Sequence, residues 1–447
     1  MYDDPDAEDT VPKVERAIVM GGSMAGLLAA RVLADHATDV VLLERDTLPE
    51  EPCHRKGVPQ SKHTHVLLGA GRLALERFFP GLTEELTARG AIQGDPMGEV
   101  LRYLGGGCHC RGTSDLRTLY VSRPLLEAYV RGRLRAVPNV TFLERRDVRG
   151  LETSADGSRV VGVAIEQAGT ASTLSADVVV DATGRGSRSP QWLAHAGFPS
   201  PDEEVVECQA GYATRHYRLE PGQLGGIKSV LVAPTPGVLR GAVLAQQEGG
   251  RWILTLIGLM GNRPPTDDAG FRAFAKSLPS REIAELVETG TPLDDAVPAS
   301  YPSNVRRRYD RVARFPEGYV VLGDAICSFN PMYGQGMSVA ALECVALADT
   351  LAGPADGNLG RRFFQRATPV LDTPWMLAAG NDLRLTNPDA PVGRATKFVR
   401  WYMDRLHRAA RTDVIVATAF LRVAGLLEPP GSLFKPALAI RVLAIRH

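Results

Sequence analysis

The sequence predicts an α/β protein whose nucleotide-binding core is discontinuous. A parallel-sheet unit opens the chain, an antiparallel sheet is inserted into it, and a helical region closes it. Three observations carry this reading. A short apolar run near residue 18 leads into a glycine turn and a helical pattern. Strand-type segments then recur from about 205 to 260. A second apolar run near 320 ends in an acid and a glycine-rich loop that starts another helix.

The first unit begins with Ala17-Ile18-Val19-Met20, a strand-type run, followed by Gly21-Gly22-Ser23-Met24-Ala25-Gly26. Leu27, Leu28, Val32 and Leu33 carry a helical period, and Val40-Val41-Leu42-Leu43 is a second strand ending in Glu44. A βαβ unit with an acid about 20 residues after its glycine turn is a dinucleotide fingerprint. The turn sets pyrophosphate on a helix N-terminus, and Glu44 is placed to hold the adenosine ribose. Ser23 occupies the middle glycine position of the usual pattern. Taken alone, so altered a fingerprint also fits an ordinary strand-turn-helix.

Pro49, Pro52, Gly57 and Pro59 mark an extended loop. A helix through Leu73–Arg77 runs to the turn at Pro80-Gly81, and Gly105-Gly106-Gly107 is a flexible break. Ser122 caps a helix with Pro124 in its first turn. Val140–Leu143 and Val160–Ile165 read as strands, with a turn at Asp156-Gly157. Ala176–Asp181 leads into Ala182-Thr183-Gly184-Arg185-Gly186, repeating the strand-then-glycine logic. Gly211–Arg215 and Trp252–Leu256 belong to the inserted sheet, and a helix follows near Phe271–Leu278.

Val320–Leu322 then ends at Gly323-Asp324, ahead of Asn330-Pro331-Met332-Tyr333-Gly334-Gln335-Gly336-Met337-Ser338. Asp324 can accept from sugar hydroxyls. Gly334 and Gly336 let backbone approach a flat ring, and the helix that follows offers unpaired N–H groups and a positive dipole end. Beyond Leu351 the chain reads helical in blocks. The expected segments are 14–75, 119–204 and 301–355 for the nucleotide domain, 76–118 and 205–300 for the substrate side, and 356–447 for the helical region.

The 447 residues carry zero net charge, which removes the electrostatic case for nucleic acid or an anionic membrane surface. Six cysteines are scattered at 53, 108, 110, 208, 327 and 344, a pattern suited to a reducing cytoplasm. Residues 1–9 are acidic and polar, unlike a signal peptide, and 1–13 read as a loose tail. No apolar run reaches the ~18 residues of a membrane span. The localisation expected is cytoplasmic.

No metal is expected. His63-Thr64-His65 lacks a third ligand and reads as a hydrogen-bonding loop. Cys108-His109-Cys110 is too tight for a zinc knuckle and reads as a surface or hairpin segment. Arg306-Arg307-Arg308 reads as a solvated face, with a nicotinamide phosphate or an acidic carrier as the sharper reading. Cys327 reads as a buried cysteine, with a covalent flavin bond as the sharper reading. Trp375 fits pocket or core equally. Phe434–Leu443 is apolar with basic punctuation and reads as packed onto the body, with membrane or partner contact as the alternative.

In order, Gly21–Gly26 with Glu44, Asp181–Gly184, and Gly323-Asp324 with Pro331 and Gly334–Gly336 resemble the single-component FAD-dependent monooxygenases of the para-hydroxybenzoate hydroxylase type, over about residues 15–350. A closer likeness lies in Arg55–Gln60 with His63 and His65, Ser122–Leu126, Asp181–Arg188 and Pro374-Trp375. These are similar to flavin-dependent epoxidases of polyether antibiotic biosynthesis, a family that also holds hydroxylases. The resemblance implies a Rossmann-type FAD-binding domain with an inserted antiparallel substrate sheet. The cofactor set it implies is Gly21, Gly22, Ser23, Met24, Ala25, Gly26, Glu44, Arg45, Arg55, Arg123, Val148, Asp181, Gly184, Asp324, Pro331, Gly334, Gln335, Gly336, Met337 and Ser338.

By this likeness Arg55 runs beside the flavin, Arg123 meets ribityl or pyrophosphate, and Val148 touches adenine. Pro331, Gly336 and Met337 lie against the isoalloxazine. The chemistry is then the cofactor's: NAD(P)H and O2 yield a flavin C4a-hydroperoxide that epoxidises an alkene of a hydrophobic polyketide, free or carrier-bound. Epoxidation needs no protein base, whereas phenol hydroxylation gains from one. No second nucleotide fingerprint is present, so NAD(P)H docks transiently or a separate flavin reductase supplies electrons. The alternatives are an aromatic or aliphatic hydroxylase and an isoprenoid double-bond reductase. A halogenase of this scaffold carries a Trp-x-Trp-x-Ile segment, which none of Trp192, Trp252, Trp375 and Trp401 provides.

Overall fold

The computed structural model describes residues 14–220, 222–354 and 357–444. The expected N-terminal tail, residues 1–13, lies outside them. Strand β1 (Val14–Met20), helix α1 (Met24–Ala34) and strand β2 (Ala37–Glu44) form the opening βαβ unit. They belong to a parallel sheet of five strands in the order 319–321, 178–181, β1, β2, 140–144. Ala17–Met20, Val179, Val180 and Tyr319–Val321 are fully buried, as continuous apolar strands covered on both faces must be.

The join between β1 and α1 depends on two glycines. Gly21 sits at φ +104°, against the Ala182 backbone. A Cβ on Gly26 would lie 1.7 Å from the Gly21 carbonyl oxygen. Only glycine lets the helix begin this close to the strand. The helix Gly336–Ala352 packs beside α1, so the two glycine loops meet at the carboxyl end of the parallel sheet's strands.

A nine-stranded sheet forms the roof. Its pairs are antiparallel except where Ser229–Val232 runs parallel to Val100–Leu104. The two-residue period divides its faces. Trp252, Leu254 and Leu256 pack on helices Asp268–Lys276 and Arg281–Thr289 through Phe271 and Ile283. Thr255 and Ile257 point the other way, into a cavity. The roof extends beyond the span 205–300. Hydrogen bonding recruits Val100–Leu104 at one edge, and Val297–Arg307 runs past 300 to pair with Glu203–Arg218. The glycine break at 105–107 is the turn joining Val100–Leu104 to Gly107–Cys108.

Asp147–Thr153, Val160–Gln167 and Thr170–Ser175 form a separate antiparallel sheet. The region that reads as helical blocks begins with one 28-residue helix, Leu359–Thr386, running through Pro369 and Pro374. Packing of Phe363, Phe364, Leu371 and Ala378 into the main core holds it together, against the cost of internal prolines. Helices Arg394–Ala409, Val414–Ala424 and Pro436–Ala444 follow. They share a small core of Tyr402, Leu406, Val416, Leu433 and Val442, joined by Met97. No helix among the described residues is long and apolar enough to cross a membrane.

Candidate functional site

One cavity of about 2070 Å³ lies between the parallel sheet, the roof and the C-terminal helices. That is at least twice the ~300–1,000 Å³ of an ordinary small-molecule pocket. It has room for a dinucleotide and a second molecule.

The floor is the N-terminus of α1. Gly22, Ser23, Met24 and Ala25 line it, and Ser23 makes no side-chain cap to the helix. The first N–H groups of α1 are therefore left for a ligand. The Ser23 hydroxyl turns instead to Glu127, to which it donates at 3.0 Å, while accepting from Arg123 Nη2 at 2.8 Å.

Glu127 is the hub of this corner. It is 5% exposed and receives Arg55 at 2.6 Å and Arg123 at 3.1 Å, with Arg131 at 3.7 Å. Burial alone would raise its pKa, but Arg123 and Arg55 together hold it below the ordinary carboxylate value. Arg55 also reaches Glu44 at 3.3 Å and the Gly22 carbonyl at 3.1 Å. Glu44 accepts from the Gly22 amide at 2.9 Å and the Asp46 amide at 3.0 Å. The acid at the end of β2 thus clamps the glycine turn while facing the cavity. Sequence reading missed Glu127. Its only trace is the spacing Arg123/Glu127/Arg131, which stacks three charges on one helix face.

Opposite lies the segment after Val320–Leu322. Asp324 faces the cavity, and no donor among the described residues bonds its carboxylate. Burial pushes its pKa up, with Arg123 and Arg185 pulling the other way. Buried Glu343 holds its turn by accepting from the Gly323 amide at 2.8 Å. Helix Gly336–Ala352 begins without a side-chain cap, and the buried Gln335 Oε1 has no partner. Gly336 and Met337 line the cavity.

Two uncapped helix N-termini, an unpartnered carboxylate and a buried guanidinium therefore face one space. This donor and acceptor set fits a dinucleotide with a flat ring. α1, Glu44 and Arg123 would hold its phosphates and adenosine, Asp324 its polyol, and the Gly336 and Met337 amides its ring edge.

Of the residues expected at the cofactor, Gly21–Ala25, Glu44, Arg45, Arg123, Val148, Gly184, Asp324, Pro331 and Gly334–Met337 line this cavity. Gly26, Arg55, Asp181 and Ser338 stand behind it. Asp181 is fully buried, and its carboxylate accepts from Thr183, Ser187 and Ser189, bracing the loop that presents Gly184 and Arg185. The Ser338 hydroxyl accepts from the Leu68 amide at 3.0 Å.

A second unanticipated network anchors the flat-ring loop. Fully buried Asp382 accepts from Asn304 at 2.7 Å, Asn330 at 3.0 Å and Tyr333 at 2.5 Å. Tyr212 in turn donates to Asn330. Four parts of the chain converge here, and no local pattern announces them.

His63 bonds Thr214 at 2.8 Å and His65 bonds the His63 carbonyl at 2.9 Å. Burial lowers their pKa values to about 4 and about 3, aided by Lys62 and Arg123 respectively. Both face the cavity as neutral imidazoles at pH 7. His109 pairs with His407 at 3.2 Å, and no group of three or more metal-ligating side chains occurs among the described residues.

Three readings of single features are decided by the structure, and the first is corrected. Arg306, Arg307 and Arg308 are not a solvated face. Each is tied down, by Asp372, Glu203, and Asp310 with Glu204. Buried Cys327 lies outside the cavity lining. Trp375 packs against the main core.

Comparison with known proteins agrees with the geometry. Residues 14–368 match the family described as FAD binding domain. The chain is 36% identical to Protein Rv3254 of Mycobacterium tuberculosis (strain ATCC 25618 / H37Rv), over 97% of this chain and 94% of the relative. It is 27% identical to kynurenine 3-monooxygenase of Salinispora arenicola (strain CNS-205), over 76% and 73%. Among solved structures, the flavin-dependent brominase Bmp2 superposes with a TM-score of 0.64 at 15% identity, over 92% of each chain. That likeness shows the fold alone.

Proposed function

The chain belongs to the FAD binding domain family; from that premise we propose that it is a flavin monooxygenase of the para-hydroxybenzoate hydroxylase type that epoxidises an alkene in a hydrophobic natural product, with NAD(P)H as reductant. The supporting observation is the continuity of the cavity. The same space that fits a dinucleotide runs on between the roof and the C-terminal helices, along Leu231, Ile257, Met403, Phe420 and Leu421.

Bound FAD supplies, on reduction and reaction with O2, an electrophilic oxygen atom. What this chain's residues do is place the guest and keep the site dry. With the cofactor bound, the apolar walls would position a double bond close to the ring and exclude water. The amides at the start of helix Gly336–Ala352 would stabilise negative charge on the ring edge.

The state of the histidines supports the alkene reading. Deprotonating a phenol calls for a base whose pKa lies near the working pH. His63 and His65, pulled down to about 4 and about 3, are poor bases. Aromatic hydroxylation is the second reading, favoured by the name of the Salinispora relative. Halogenation has the structural likeness to the brominase, but this chain lacks the Trp-x-Trp-x-Ile segment.

The test is to purify the protein, record its flavin spectrum, and screen polyenes and phenols for substrate-stimulated NAD(P)H oxidation. The expected product gains one oxygen on a double bond. A gain of two hydrogens would replace the reading with a reductase, and protein that stays colourless with added FAD would overturn it.

A further inference from the structure

The far end of the cavity holds a charge that the protein itself leaves unanswered. Arg102 lies on the roof strand Val100–Leu104, opposite Leu231. The strand's period sends Leu101 and Tyr103 towards the helices behind the roof, and Val100, Arg102 and Leu104 towards the cavity. Arg102 is 4% exposed. Its Nη1 donates to the Val100 carbonyl at 3.1 Å, and its Nη2 is buried with no acceptor.

Two other arginines that line the cavity offer a contrast. Arg123 is matched by Glu127, and Arg384 by both oxygens of Asp404 at 2.7 and 2.9 Å. Arg102 has no carboxylate within ion-pair distance among the described residues. Asp95 acts on it from further away, and its oxygens are occupied by Ser114 and the Met97 amide. Tyr120 lines the same end of the cavity, feels the charge of Arg102, and has a buried hydroxyl with no partner of its own.

Leaving a buried guanidinium unpaired is strongly unfavourable, and an orphaned buried hydroxyl adds to that cost. Both losses are recovered if an incoming anion accepts from the two groups. An unpartnered guanidinium nitrogen and an unpartnered phenol O–H lining the same cavity suit a planar carboxylate, which can take more than one donor at once. Pro96, Leu116 and Phe420 also line the cavity and offer apolar surface to whatever carries the anion.

We propose that Arg102 and Tyr120 form a carboxylate-recognition subsite, and that the substrate is an unsaturated apolar acid bound by its ionised end with its double bonds reaching towards the flavin half. This deepens the monooxygenase reading and rests on it. It selects a free acid over a neutral ester or amide, including a thioester-tethered chain.

The experiment is calorimetric binding to the FAD-loaded protein, without turnover. The probes are two polyene acids of different length, geranate and retinoate, each compared with its primary amide and methyl ester. Wild-type protein should bind at least one acid ~10-fold or more tighter than its neutral analogues. Arg102→Gln should abolish that preference while leaving amide affinity unchanged. Tyr120→Phe should reduce the preference by a smaller factor. Equal affinity for acids and amides in the wild type overturns the proposal, as does an Arg102→Gln protein that loses amide and acid alike while retaining flavin. Should Arg102→Gln not fold, the wild-type ratio and the Tyr120→Phe protein still decide. The flavin spectrum of the same preparation reports separately on the monooxygenase reading.

Discussion

At the residue scale, the FAD-side chemistry depends on a carboxylate that touches neither strand nor glycine turn by sequence. Glu127 neutralises Arg55 and Arg123 and receives Ser23. Removing it leaves buried guanidinium groups facing one another, so Glu127→Ala should lower the unfolding free energy by ~3–5 kcal/mol and release flavin, as urea melts and absorbance will show. A second prediction concerns acid. His63 and His65 titrate at about 4 and about 3 in the folded chain and near 6.5 when unfolded. Below 6.5 the unfolded chain takes up protons that the folded chain refuses, so stability falls as pH drops from 6.5 towards 4. Glu127 has the same sign in a lower window: its stabilisation is full above the ordinary carboxylate value and is lost as pH falls through its depressed one. Asp324 and Asp382, raised by burial, oppose both. The clean measurement is therefore a difference. His65→Gln should flatten the fall in urea midpoint between pH 6.5 and 4 relative to wild type, and superimposable slopes would show that His65 is not held neutral.

At the scale of single elements, the two glycine-led helices look alike in sequence but tolerate change differently. In α1, a Cβ on Gly26 meets the Gly21 carbonyl oxygen at 1.7 Å. Gly26→Ala should therefore destabilise the fold itself, with a depressed melting temperature and loss of soluble protein. At the start of helix Gly336–Ala352, a Cβ on Gly336 finds its nearest neighbour, Asp324 Oδ1, at 3.6 Å. Gly336→Val should therefore fold, melting within a few degrees of wild type, yet bind little flavin, because its branch occupies the space left for a flat ring. The ratio of flavin to protein absorbance separates the two. Strand and helix positions here were legible because local signals sufficed. Ser122 caps its helix by accepting from the Leu125 amide, as the Ser-x-Pro pattern implies. The long helix Leu359–Thr386 was not legible as one element, since core packing overrides the two prolines inside it.

At the scale of the molecule, the C-terminal helices wall one side of the cavity and share a small core of their own, joined by Met97. Tyr402 is 2% exposed, donates to the Leu433 carbonyl at 2.6 Å, and stacks on Phe434 at 4.6 Å. Tyr402→Ala should destabilise this unit by ~3–5 kcal/mol. Limited proteolysis should then cut first within residues 394–447 while flavin stays bound. Early cuts in the nucleotide half instead would show that the two parts unfold together. The same assembly explains why the substrate half of the cavity was unreadable in advance. Its walls come from Val100–Leu104, the roof strands and three late helices, and nothing local ties these together.

The sequence by itself determined the nucleotide units, because a strand, a glycine turn and an acid at the strand end are contiguous and each acts on its immediate neighbours. It also determined the inserted sheet, through its run of strand-type segments. Tertiary structure alone decided which charged and polar groups meet: Glu127 with Arg55, Asp382 with Tyr333, and Arg102 with no counter-ion among the described residues. Electrostatic pairing in a buried site depends on distance in space, and these partners stand 72 and 49 residues apart along the chain.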